Sequence, residues 1–127
     1  MDIATLKTLV GEPYCECDED GNYIGCFAPL YFLYNDLPRY PLPELESDYF
    51  STALDGLLSG FSLVEGDLYN VLKPLSVIVF RLPMGVLHVG VYLGNNQILH
   101  VERGKRVEIT RLSRLSHRVF AVLERMI

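Results

Sequence analysis

Two β-rich runs close on a Gly-Asn-Asn turn, and this hairpin constrains the fold more than any other stretch of the chain. The first run is Val86-Leu87-His88-Val89-Gly90-Val91-Tyr92-Leu93, the turn is Gly94-Asn95-Asn96, and the second run is Gln97-Ile98-Leu99-His100-Val101. Branched and aromatic residues on both sides of turn residues signal an antiparallel pair. With a three-residue loop, Gly94 to Asn96, Leu93 pairs with Gln97, Gly90 faces His100 and His88 faces Glu102. Strand side chains alternate, so His88 and His100 then share one face as diagonal neighbours. A two-residue loop would send them to opposite faces. Two imidazoles on one face, beside a glycine that leaves room, can act as a base and its orienter, which is what a cysteine nucleophile requires.

Size and composition limit the alternatives. The chain has 127 residues, so residues 1–127 are read as a single domain. Half the residues are hydrophobic, which argues against disorder. A net charge of -5 argues against nucleic acid as a partner. The start, Met1-Asp2-Ile3-Ala4-Thr5-Leu6-Lys7, has neither a basic region nor a long apolar core, so no secretory signal is read there and synthesis in the cytoplasm is expected. No run approaches the ~20 apolar residues of a membrane helix, so membrane insertion is not expected. The three cysteines, an odd number, fit poorly with a disulfide framework.

The elements follow in order. Asp2 can cap a short helix over Ile3–Val10, stopped by Gly11. Cys26 to Asn35 has helical length, with Phe27, Leu30, Tyr31 and Tyr34 near 3.6-residue spacing. Pro29 is tolerated there only in the first turn, which places Cys26 at a helix N-terminus. Leu37 to Pro43 is an extended connection, and Ser47 or Asp48 can cap a further helix through Leu58, ended by Gly60. Five strands are expected: Ser76–Phe80, Val86–Leu93, Gln97–Val101, Arg106–Thr110 and Arg118–Leu123. Helices first and then an antiparallel meander make an α+β domain.

Several of these residues together resemble the NlpC/P60 cysteine peptidases. They are Gly11-Glu12-Pro13-Tyr14, Cys26 opening a helix, His-Val-Gly-Val-Tyr-Leu-Gly at 88–94, and His100. A tyrosine stands twelve residues before the cysteine, and the second histidine stands twelve after the first. The resemblance runs from about Leu6 to Arg125. It implies a papain-like α+β core, with N-terminal helices and the cysteine helix packed on an antiparallel sheet of about five strands. It also implies cleavage of peptidoglycan stem peptides, often between D-glutamate and diaminopimelate, without a cofactor. The insert from Leu37 to Lys73, with Leu-Pro-x-Tyr at its start, is similar to the phage and prophage tail-associated variety. That would make phage tail proteins partners and the cell wall the site of action, reached as part of a virion. Where the family usually has Asp-Cys followed by a small residue and Gly, this chain has Gly25-Cys26-Phe27-Ala28. The alternative reading is therefore a catalytically degenerate tail-assembly or wall-binding module.

On the resemblance, Cys26 is the nucleophile, His88 the general base and His100 its orienter, with Tyr14 near the sulfur or lining the substrate pocket. A helix N-terminus and a nearby imidazole would pull the Cys26 thiol below its free value of about 8.5. Cys15 and Cys17 could join a metal set, but Cys-x-Cys lacks the spacing usual for structural zinc, and no metal is expected. Asp18, Glu19 and Asp20 imitate part of a calcium loop without its Gly-x5-Glu frame and read as a solvated turn. Arg103, Lys105, Arg106, Arg111, Arg114 and Arg118 make the last third basic, either as a solvated sheet edge or as an attractor of carboxylate-rich stem peptides.

Overall fold

The structure is a computed structural model and describes residues 3–41, 54–57 and 59–126. It is an α+β fold built on one six-stranded antiparallel sheet. The strands are β1 (Phe61–Leu63), β2 (Val77–Arg81), β3 (Leu87–Gly94), β4 (Gln97–His100), β5 (Glu108–Arg111) and β6 (Val119–Arg125). Their order across the sheet is β1-β6-β2-β3-β4-β5. The expected meander holds from β2 to β5. The last strand departs from it, pairing with β2 and β1 at the other edge instead of following β5. The crossing is made by a short helix, Leu112–Leu115, and a 3-10 turn, Ser116–Arg118. Leu112 anchors that crossing, fully buried with Ile78, Phe80 and Ile98 on one face of the sheet. β1 adds a sixth strand to the expected five.

The other face carries the larger core. Val77, Val79, Val89, Val91, Leu93, Leu99 and Val101 meet Leu6, Cys26, Phe27, Leu30, Tyr31 and Leu33 there. The odd-numbered residues of β2, β3 and β4 all point this way, as period-two alternation requires. The helices they meet are α1 (Ile3–Lys7), shorter than the Ile3–Val10 expected, and α2 (Ala28–Leu33). Pro29 sits in the first turn of α2, where its missing N–H costs nothing. Cys26 lies just before α2, in the 3-10 turn Gly25–Phe27, so the helical stretch enters through a tighter turn than expected. The helix expected from Ser47 or Asp48 falls largely outside the described residues, as does the Asp2 cap; residues 54–57 are helical.

The hairpin reaches the expected register by a different route. The turn itself has two residues, Asn95 and Asn96, both at positive φ, and Gly94 pairs with Gln97. Two-residue hairpin turns favour such φ values, and asparagine tolerates them. A two-residue turn alone would have put the histidines on opposite faces. The register shifts between Tyr92 and Gly94, where Gly94 takes φ +88°, and beyond that bulge Tyr92 pairs with Ile98 and Val91 with Leu99. One extra residue restores the parity of a three-residue loop.

Candidate active site

The restored register brings the two histidines into contact. His88 Nε2 lies 2.9 Å from His100 Nδ1, and both side chains are buried. Gly90 makes room for this pair: a Cβ there would lie 3.3 Å from the His100 Cβ and 2.8 Å from Ile98 Cγ2. Phe80, opposite His88 on β2, packs its ring 6.1 Å from the imidazole. His100 has a second hydrogen bond, Nε2 to Thr110 Oγ1 at 2.8 Å, and Glu108 Oε1 stands 3.7 Å from the same nitrogen. Among the described residues the His88 ring has no hydrogen-bond partner besides His100, which leaves its Nδ1 uncommitted.

Cys26 approaches from the other face. Alternation turns His88 and His100 toward the Ile78–Phe80–Ile98 side, whereas Cys26 belongs to the core that includes Val89. Tyr92 donates its N–H to Ser76 O on the β2 side, so the N–H groups of Val91 and Val89 point toward β4. The β3–β4 ladder extends only to Val91–Leu99, so it ends before Val89. The Val89 amide lies near enough to the Cys26 sulfur to favour its thiolate. The sulfur therefore stands beside the peptide joining His88 to Val89. The structure thus brings the two histidines together on one face, as expected, and sets Cys26 in the core of the other face, near the Val89 amide.

Electrostatics depart from the sequence-based expectation for the thiol. Burial pushes Cys26 up to about 12, outweighing the Val89 amide and the cysteine's own N–H, both of which favour thiolate. Burial also pushes His88 down to about 4, with the neighbouring His100 adding to the shift and Glu102 opposing it. His100 is lowered for the same first reason, against Glu102 and Glu108. Removing a charge from water costs more than a short helix terminus returns, so the resting site holds a neutral thiol and neutral imidazoles.

Tyr14 is half-buried against the same core, its N–H donating to Lys105 O at 2.9 Å. Its hydroxyl hydrogen-bonds to Tyr23 and accepts from Arg103, whose Nη2 also donates to Glu16 Oε1 at 2.8 Å. Tyr23 was not singled out in the sequence. Burial first, then Cys26 and Tyr14, raise its phenol above the ordinary range. Its ring explains Gly25. That residue has φ +50°, and a Cβ there would lie 2.2 Å from the Tyr23 hydroxyl. A side chain at the position before the cysteine is therefore replaced by a phenol folded over it. Thr110 was also missed, although its register opposite Ile98 puts it on the face of His100.

Cys15 and Cys17 are exposed and free. Among the described residues no group of three or more His, Cys, Asp or Glu side chains could hold a metal ion, and no helix is long and apolar enough to cross a membrane. The acidic turn is organised by Asp18, whose Oδ1 accepts from the N–H groups of Asp20 and Asn22, both at 2.9 Å. No protein-family model and no curated protein sequence matches the chain.

Proposed function

We propose that the protein is a cysteine amidohydrolase of the NlpC/P60 kind that cleaves peptidoglycan stem peptides, at a bond of the D-glutamate–diaminopimelate type, as a phage or prophage tail component. The observation that carries this reading is the buried imidazole pair at 2.9 Å beside the peptide whose amide meets the Cys26 sulfur. A helical segment carrying the cysteine and packed on an antiparallel sheet supports a papain-like core.

The chemistry runs through neutral groups. His88 Nε2 is committed to His100, so Nδ1 is the nitrogen available to the thiol proton. The proton moves as the sulfur attacks, because burial disfavours a standing ion pair. The Cys26 sulfur bonds to the amide carbonyl carbon, and backbone N–H groups of the turn at Cys26 stabilise the oxyanion. The tetrahedral intermediate expels the amine, which takes the proton from His88. Water, giving a proton to the same imidazole, then attacks the thioester carbonyl; the departing sulfur takes that proton back as thiol, and the released carboxylic acid ionises to solvent. No cofactor takes part. On this reading Tyr23, which lies near the sulfur, and its neighbour Tyr14 line the approach of the substrate.

A degenerate tail-assembly or wall-binding module is the second reading. The depth of Cys26, 7% exposed, and the replacement of a carboxylate by Gly25 favour it. A mass-spectrometric digest of purified peptidoglycan separates the two. Wild type releasing new amine and carboxyl termini, with Cys26→Ala releasing none, supports the hydrolase; binding without cleavage by both supports the module.

A further inference from the structure

The chain of atoms from Thr110 Oγ1 through His100 to His88 can carry its protons in two orders. In one order, each Nε2 holds a proton: His88 Nε2–H donates to His100 Nδ1, and His100 Nε2–H donates to Thr110. In the reverse order, Thr110 O–H donates to His100 Nε2, His100 Nδ1–H donates to His88 Nε2, and the remaining proton of His88 sits on Nδ1. The same distances, 2.9 Å and 2.8 Å, serve both. Only the first leaves His88 Nδ1 bare, as an acceptor for a thiol proton. The site is competent in one order and blocked in the other.

We infer that Glu108 and Thr110 are positioning residues that select the competent order. Glu108 Oε1 stands 3.7 Å from His100 Nε2, and an anion beside a ring nitrogen favours a proton on that nitrogen. Thr110 accepts that proton at 2.8 Å and fixes the ring plane. Both lie on β5, whose register sets His100 opposite Glu108 and Ile98 opposite Thr110, so a single strand pairing installs them. The other charged groups around the pair are Glu102, joined at 3.1 Å to Lys105, and Lys105 itself. Glu102 acts on both rings, whereas Glu108 stands at His100 Nε2 itself, so Glu108 is the carboxylate placed to distinguish Nε2 from Nδ1. The value of this arrangement for turnover rests on the hydrolase reading; the proton order itself does not.

Long-range ¹H–¹⁵N correlation of the imidazoles in the uniformly ¹⁵N-labelled full chain reads the order directly. The expected result at pH about 7.5, above the ordinary histidine range, is that both His88 and His100 carry the proton on Nε2. Glu108→Gln, an exposed position, replaces the anion by an amide that can donate to Nε2, and shifts both rings toward Nδ1–H. Thr110→Val does so in part, and Thr110→Ser restores the wild-type pattern. With a cleavable stem peptide, Glu108→Gln lowers kcat about tenfold at unchanged KM, less than the loss of a general base itself. Nδ1–H rings in the wild type, or tautomers unmoved by both Glu108→Gln and Thr110→Val, overturn the inference. Nε2–H rings that respond to these variants in a protein that cleaves nothing support it and remove the hydrolase reading alone.

Discussion

Gly90 lies directly across from His100, so close that a Cβ added to the glycine would stand 3.3 Å from the histidine's own Cβ. The same Cβ would meet Leu99 O at 3.2 Å and Ile98 Cγ2 at 2.8 Å. β3 and β4 approach here because nothing projects from Gly90, and Ile98 and the His100 Cβ close over the vacated space. Gly90→Ala should destabilise the fold by about 1–3 kcal/mol through overpacking, partly offset by the lower chain entropy of alanine in the unfolded state. Thermal unfolding should show a lower Tm, and the His88 and His100 ring resonances should move. An unchanged Tm with unmoved rings would show that the strands have slack at this point.

The hairpin was legible in the sequence because apolar alternation around turn residues needs no tertiary information. Its face assignment also held, although the turn has two residues where three were expected, and the bulge at Gly94 supplied the missing parity. Other features depend on long-range contacts. Phe61–Leu63 is too short to show a period, so β1 was not visible. The return of β6 beside β2 is set by the burial of Leu112, which the sequence shows only as one more leucine. The Cys26 shift was expected downward from its place before a helix. Its sign is decided by depth, and depth emerges only when α2 is packed on the sheet. Thr110 and Tyr23 were missed for a similar reason: one joins the site through strand register, the other by folding over Gly25.

Acid should weaken the fold through the histidines. His88 titrates at about 4 when folded against an ordinary 6.5, so below pH 6.5 the unfolded chain binds a proton that the folded one refuses. Stability present above pH 6.5 is lost as pH falls toward 4, by about 3 kcal/mol from this residue. His100 acts in the same direction. Cys26 gives the mirror image: with its thiol raised from 9.0 to about 12, stability is lost as pH rises through that range. Urea midpoints across pH should fall on both sides of a plateau. A His88 ring resonance that titrates at its ordinary position near 6.5 would contradict the acid limb.

The thiols should react in an order opposite to that expected from a helix-terminal nucleophile. Cys15 and Cys17 are exposed, whereas Cys26 is buried with its thiolate disfavoured. A limiting dose of iodoacetamide on the resting protein should label Cys15 and Cys17 first, with Cys26 modified at a comparable rate only after denaturation. Peptide mapping after a short exposure reads the order. Preferential labelling of Cys26 in the folded protein would mean that the sulfur is open and ionised, against the burial described.

Stem-peptide turnover by alanine variants tests whether Cys26, His88 and His100 act as one catalytic unit, as proposed. Cys26→Ala should abolish turnover. His88→Ala should lose the 10²–10⁴-fold typical of general acid–base assistance. His100→Ala should retain more activity than His88→Ala, since it only orients the base through the 2.9 Å contact. Circular dichroism confirming folded variants makes the comparison valid. Small and equal losses in all three folded variants would contradict the account, showing that these residues hold the fold without carrying the chemistry.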